Sequence, residues 1–364
     1  MEKLKVAIVL PYFGAGGAEK MVLHLVAGMD QSKILTEVFC VYGEPMGNTM
    51  ERTLQDRGIA IHYIGKKLGF SLSAMRRLFH ALDRFAPDLI HTHLYACVYA
   101  APWSVIRKKP CLHTFHTLPE IENARFIRRM LTKFLVKRKI MIPVAISKSN
   151  QQMVADYYGL TIADVPMVHN PVDVGKFAAG KPEKDGVFRF ITVGRFSKEK
   201  NQQLMYRAFA AFLNRGHEAR LLMLGKGEEE ATLKALSEEL GIADKIDYPG
   251  HVDNVEDYLK TADVFLLSSC YEAQPLCVLE AMAAGLPVIS TDVGGVCDIV
   301  TDNGILVPAD EIGAMADAME KLYLDKSIRK QMSQSAVKNA ATFDVANTVR
   351  GYSELYRQIT DKKL

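Results

Sequence analysis

Long hydrophobic runs are missing from this sequence. Nothing in its 364 residues approaches the 18 or more consecutive apolar residues of a membrane span. The longest candidate at the amino terminus, Val6–Leu10, has five, too few for a signal-peptide core, and reads as a first strand. Cysteine is sparse: Cys40, Cys97, Cys111, Cys270, Cys277 and Cys297 are scattered, with no Cys-x-x-Cys. That spacing provides neither a zinc site nor a disulfide frame, and it suits a reducing compartment, so we expect a cytoplasmic protein. His91 and His93 stand two apart without a nearby acidic or thiol partner, a poor metal site. A strong net charge is also lacking, at +3. The balance is uneven, however: residues 1–172 carry +9 and the remainder −6. Only the first half is therefore expected to meet an anionic surface or acceptor.

Alternation of short apolar runs with helical patterns fills the chain. In the amino half, strands are expected at Val6–Leu10, Glu37–Val41, Ile59–Ile64, Asp88–His93, Cys111–Phe115 and Pro143–Ser147. Helices are expected over about Ala18–Met29 and Ser73–Phe85. The pattern breaks over residues 168–186 and restarts with a strand at Val187–Val193, a helix from about Gln202 to Asn214 and strands at Leu221–Leu224, Ile246–Tyr248, Val264–Leu267 and Pro287–Thr291. Such alternation implies an α/β protein of doubly wound parallel sheets. The division is set at 1–172 and 173–344, with a final helix, about 345–364, whose Val349, Tyr352, Leu355, Tyr356 and Ile359 share one side.

Chemistry concentrates at strand ends. Val264–Leu267, a loop with Glu272, a helix with Glu280 and Pro287–Thr291 form one βαβ unit, and ligands in such sheets collect beyond the carboxyl ends of strands. Ionised carboxylates there accept hydrogen bonds from sugar or ribose hydroxyls. The loop Gly194-Arg-Phe-Ser-Lys-Glu-Lys-Asn201 brings a planar fork, Arg195, and a mobile point charge, Lys200, both suited to phosphate. Gly14-Ala-Gly-Gly-Ala-Glu19 begins like a dinucleotide fingerprint, but Glu19 occupies the position that needs a small residue, so a dehydrogenase is disfavoured. Gly16 and Gly17 still allow close backbone approach at a helix start. Two readings of His91 and His93, ligand contact or structure, remain open. Over 125–139 the apolar pairs Phe126/Ile127, Met130/Leu131 and Phe134/Leu135 give one helical face. Arg125, Arg129, Lys133 and Lys137 form a second stripe with no acid to offset it. An anionic leaflet or a lipid-linked diphosphate would relieve that repulsion.

Gly-Arg-x4-Lys at 194–200, and Glu-x7-Glu at 272–280 followed by Ala-Met-Ala-Ala-Gly-Leu-Pro-Val-Ile-Ser-Thr, resemble the retaining glycosyltransferases of family 4 (GT4). The resemblance covers nearly the full chain. It implies the GT-B architecture, two Rossmann-like domains facing a cleft, with the acceptor on the first domain and the nucleotide sugar on the second. It also implies that the final helix packs back on the first domain. The expected reaction is sugar transfer from a nucleotide sugar, UDP by default, to a hydroxyl of a glycan or polyprenyl-diphosphate-linked glycan in cell-surface polysaccharide assembly. Under the resemblance Arg195 and Lys200 clamp the departing diphosphate with Gly194 beside them. Glu272 reaches sugar hydroxyls and Glu280 the ribose. Gln274, Pro275 and Leu276 line the donor, and His251 and Val252 border the base. Gly16 and Gly17 flank the diphosphate, and His116 with Thr117 faces the sugar and leaving phosphate. Many relatives carry glycines after the first glutamate, where this chain has Ala273-Gln-Pro275. No Asp-x-Asp occurs, so neither metal nor cofactor is expected, and the basic 125–139 segment is expected at the inner face of the membrane. A nucleotide-sugar epimerase of the same fold and a catalytically silent scaffold are the alternatives.

Overall fold

The computed structural model describes residues 3–14, 16–67, 69–178 and 185–360. The chain divides into two compact units, Met1–Pro171 with Val345–Leu364, and Val172–Asp344. In the first, β1 (Leu4–Leu10), β2 (Ile34–Tyr42), β3 (Ile61–Lys66), β4 (Leu89–His93), β5 (Cys111–Thr114) and β6 (Met141–Val144) form a sheet of order β3-β2-β1-β4-β5-β6. In the second, β7 (Arg189–Val193), β8 (Arg220–Leu224), β9 (Ile246–Gly250), β10 (Val264–Leu267), β11 (Val288–Thr291) and β12 (Gly304–Val307) follow the order β12-β11-β10-β7-β8-β9. Every strand pair is parallel, for example Val6 opposite Leu89 and Val264 opposite Phe190. The doubly wound α/β expectation holds.

The strands are apolar on both faces because helices cover both faces. Along β1 the two-residue period sends Val6, Ile8 and Leu10 to one core layer and Ala7 and Val9 to the other. Along β10, Val264 and Leu266 face one layer, Phe265 and Leu267 the opposite one. The chain order reverses between β1 and β4 in one sheet and between β7 and β10 in the other. At such a reversal the connections leave in opposite directions and open a crevice past the strand ends.

The helix Val345–Thr360 belongs to the first unit and buries Tyr352, Leu355 and Tyr356 in the same layer as Val6 and Ile8. Its hydroxyls reach the sheet: Tyr356 Oη lies 2.7 Å from His91 Nδ1, and Tyr352 Oη 2.8 Å from Thr114 Oγ1. In the junction expected over 168–186 the units part between Pro171 and Val172, and residues 179–184 lie outside the described residues.

Two expectations are corrected, and one helix is added. The strand expected at Pro143–Ser147 is Met141–Val144, because Ser147 instead caps the helix Lys148–Tyr158, accepting from Asn150 N at 3.1 Å. A helix also spans Cys97–Arg107, with Pro102 inside it. In the helix Phe126–Lys137, finally, the apolar pairs do not form one packed face. Thr132, Leu135 and Val136 are buried, whereas Phe126, Ile127, Met130 and Phe134 are 65, 77, 57 and 50% exposed. The pairs split because residues four apart share a side, so Leu131 and Leu135 turn inward as a row of their own.

Candidate active site

In the second unit, the loops that leave β7 and β10 meet at the reversal of the sheet. Lys200 Nζ forms an ion pair with Glu272 Oε1, and Ser269 Oγ donates to the same oxygen at 2.7 Å. Two bonds to backbone carbonyls lock the loops together: Ser268 Oγ donates to Lys200 O (3.0 Å), and Cys270 N to Glu199 O (2.8 Å). Burial disfavours the Lys200 ammonium, but the adjacent Glu272 carboxylate outweighs it and raises the lysine pKa. Arg195 is exposed, and among the described residues its guanidinium has no ion-pair or hydrogen-bond partner. One cation is thus already paired and the other is available to an incoming anion.

Two glycine-bearing loops support this arrangement. After β8, Lys226 O accepts from Phe196 N (3.1 Å), and Glu229 N donates to Phe196 O (3.1 Å). A Cβ on Gly227 would overlap the Phe196 carbonyl. After β11, Gly295 N donates to Glu272 O (2.8 Å), while Gly294 has φ +52° and a Cβ there would overlap that same carbonyl. Gly194 sits at the end of β7 and bonds to Leu224 O (2.9 Å). Ala273, Gln274 and Pro275 are buried, and Pro275 immediately precedes the helix Leu276–Ala283. Leu276 is half-buried, and Glu280, on that helix, is buried. His251 is exposed and Val252 half-buried just past β9.

In the first unit the ends of β4 and β5 hold a histidine cluster. His91 is satisfied on both ring nitrogens, by Tyr356 Oη and by Thr114 Oγ1 at 2.7 Å each. His113 lies between Thr92 Oγ1 (2.8 Å) and Glu122 Oε1 (2.9 Å). His116 Nε2 is 2.9 Å from His93 Nδ1, and its backbone N–H points at Glu122 Oε2 (3.4 Å). Burial pulls His91 and His93 well below the usual imidazole range, and pulls His116 down to about 4 against the upward pull of Glu122. Thr117 follows, half-buried, with its carbonyl accepting from Asn150 Nδ2 (3.4 Å). Gly16 and Gly17 are exposed at the start of the helix Gly17–Gly28, and the buried Glu19 carboxyl folds back against Gly16. Burial raises the Glu19 pKa.

The residues read from sequence thus fall into two groups, one per unit. Arg195, Lys200, Glu272 and Glu280 lie in the second; Gly16, Gly17, His116 and Thr117 lie in the first. Sequence reading missed Ser269, Glu122 and the pairing role of His93. Only Ser269 had a usable signal, its place three residues before Glu272.

Two family models match consecutive segments of the chain. Glycosyltransferase Family 4 matches residues 15–176, and Glycosyl transferases group 1 matches 174–339. The chain belongs to the group 1, family 4 glycosyltransferases. It is an enzyme that transfers a sugar from a nucleotide sugar. Among curated relatives, D-inositol 3-phosphate glycosyltransferase of Paenarthrobacter aurescens is 25% identical over 382 residues, covering 94% of this chain and 93% of the relative. Its counterpart from Corynebacterium jeikeium is 28% identical over 308 residues, covering 75% and 72%. Among solved structures, a glycosyltransferase of Rickettsia africae shares the fold with a TM-score of 0.85 at 18% identity, over the whole of both chains. HepE of Anabaena in complex with UDP-glucose gives 0.85 at 18%, over 98% of this glycosyltransferase and 100% of that chain. These neighbours assign the GT-B fold. Among the described residues no helix is long and apolar enough to cross a membrane.

Proposed function

We propose that this glycosyltransferase moves a hexosyl group from a UDP-sugar to a hydroxyl of a glycan or polyprenyl-diphosphate-linked glycan, retaining the anomeric configuration and needing no metal. The observation that carries the reading is the Lys200–Glu272 pair at the sheet reversal with the unpaired Arg195 on the same loop. Arg195 and Lys200 meet the charge that builds on the departing diphosphate, an electrostatic stabilisation placed before the bond breaks. The carboxylate of Glu272 takes sugar hydroxyls, and Glu280 takes the ribose. Both are then occupied by hydrogen bonding, so attack proceeds on the face the leaving phosphate vacates and not through an enzyme nucleophile. His116 and Thr117 face the sugar and leaving phosphate, with Gly16 and Gly17 flanking the diphosphate. Gly194, Gln274, Pro275 and Leu276 line the donor, and His251 and Val252 border the base. UDP is favoured because HepE, a fold neighbour, is solved with UDP and UDP-glucose.

The acceptor side falls to the first unit. Its helix Phe126–Lys137 exposes four large apolar side chains, and the exposed Arg125, Arg129, Lys133 and Lys137 run along it. That combination suits the anionic inner face of a cytoplasmic membrane. The test is a thermal-shift panel of UDP-, GDP- and ADP-sugars. Transfer to a polyprenyl-diphosphate-linked glycan or to an inositol phosphate follows, with and without chelator, and NMR reads the anomeric centre. A UDP-sugar is expected to raise the melting temperature most, and the product to keep the donor's configuration without added metal. No nucleotide sugar raising it by about one degree would leave a silent scaffold. Release of an altered sugar without acceptor would identify an epimerase.

A further inference from the structure

His93 ends β4 fully buried, yet among the described residues only one of its ring nitrogens has a partner. Its Nδ1 lies 2.9 Å from His116 Nε2, while its Nε2 is buried and has no hydrogen-bond partner among the described residues. The neighbouring imidazoles differ: His91 and His113 are each bonded through both nitrogens. The His93 ring is held in place by the His91 ring, with centroids 4.2 Å apart.

One proton lies between His93 and His116, so the neutral pair has two arrangements. If His116 donates through Nε2, His93 must carry its own proton on the buried Nε2, an N–H with no acceptor. The Nδ1 of His116 then presents only a lone pair. If His93 donates through Nδ1, its buried Nε2 is a bare lone pair, and His116 carries its proton on Nδ1. An N–H buried without an acceptor is the rarer defect of the two. We infer that His93 is a positioning residue that fixes His116 as the Nδ1–H tautomer, so that His116 offers a hydrogen-bond donor to an oxygen of the nucleotide sugar. Among the described residues the Nδ1 of His116 has no protein partner, and the residue is only partly buried. Glu122 fixes the same loop from the backbone side through His116 N and His113 Nε2. Burial keeps both rings of the pair uncharged at neutral pH, which leaves a single shared proton.

The inference rests on the reading that His116 contacts the donor, and its test separates the two claims. In the full chain labelled with 15N-histidine, long-range nitrogen–proton correlations report the tautomers, assigned by comparison with His116→Gln. Both His116 and His93 protonated at Nδ1 is the expected result; protonation of His116 at Nε2 overturns the assignment with or without activity. In the kinetic arm, His93→Asn places an amide N–H where Nδ1–H was, and His93→Leu fills the space with no donor. His93→Leu is expected to lower kcat roughly tenfold with KM for the nucleotide sugar little changed, and His93→Asn to recover most of that loss. Equal turnover in the two variants overturns the positioning role. Should His93→Leu fail to fold, the NMR result decides. Wild-type turnover in His116→Gln overturns the donor contact while an observed Nδ1–H tautomer stands.

Discussion

Replacing Glu272 by Gln removes the partner of Lys200 while nearly preserving its shape. The lysine side chain is 26% exposed and the glutamate 12%, so the pair lies between surface bridges and fully buried ones. Breaking a buried pair costs about 3–5 kcal/mol and a surface pair about 0–1. A loss of about 2 kcal/mol follows for Glu272→Gln, a drop of roughly 4–8 °C in the melting temperature of a unit this size. The response to nucleotide is the sharper readout. With Glu272 ionised, Lys200 divides its attraction between the carboxylate and the diphosphate; in Glu272→Gln it belongs to the diphosphate alone. Removing a charge-assisted bond costs about 1.5–3 kcal/mol, so Lys200→Met is expected to weaken UDP binding by roughly ten- to a hundredfold. Glu272→Gln should bind UDP at least as tightly as the wild type. Both variants should lose at least about tenfold in turnover, ~1.4 kcal/mol. Calorimetric titration of UDP into both variants and the double variant, with turnover measured in parallel, tests this as a cycle. If Glu272→Gln weakens UDP as much as Lys200→Met does, or transfers sugar at the wild-type rate, the division of labour is wrong.

Gly294→Ala combines a left-handed backbone with an overlap against the Glu272 carbonyl; a loss of about 1–3 kcal/mol in urea unfolding is expected, with weaker donor binding. Acid should destabilise the first unit. The imidazoles of His91, His93 and His116 titrate lower in the fold than the free value of 6.5, so the unfolded chain takes up protons first. Their contribution is full above about pH 6.5 and is lost as pH falls toward 4, which urea midpoints measured between pH 7 and 4 will show. The Lys200 pKa shift is upward. Its share is full below about pH 10.5 and is lost only above that, so the stability gap between wild type and Lys200→Met should stay flat from pH 6 to 9. Charge reversal at Arg125, Arg129, Lys133 and Lys137 should abolish co-sedimentation with anionic liposomes; indifference to both reversal and lipid charge would sink the membrane assignment.

Legibility from sequence followed the strength of the local pattern. Val264–Leu267 was placed to the residue, because apolar strand formers and flanking breakers coincide there. Cys97–Arg107 escaped because it is apolar nearly all round and contains Pro102, so neither period nor composition marks a helix. The outward turn of Phe126, Ile127, Met130 and Phe134 could not be read either: periodicity gives a stripe, and only the packing partners decide which stripe is buried. Around the candidate site, motif spacing marked Lys200 and Glu272, but the Gly227 and Gly294 buttresses are long-range backbone contacts with no local signature. The same holds for His93, whose partner is 23 residues away.

The closing of the first unit by Val345–Thr360 has a consequence for biosynthesis. The first 171 residues emerge from the ribosome before the tyrosines that complete their core exist. Until then His91 and Thr114 lack the Tyr356 and Tyr352 hydroxyls, and the layer around Val6 and Ile8 lacks Leu355. Residues 172–344 are contiguous and finish first as a closed unit. The half synthesised earliest therefore matures last, and chains released before residue 345 carry one finished unit and one with its apolar face open to chaperones and proteases.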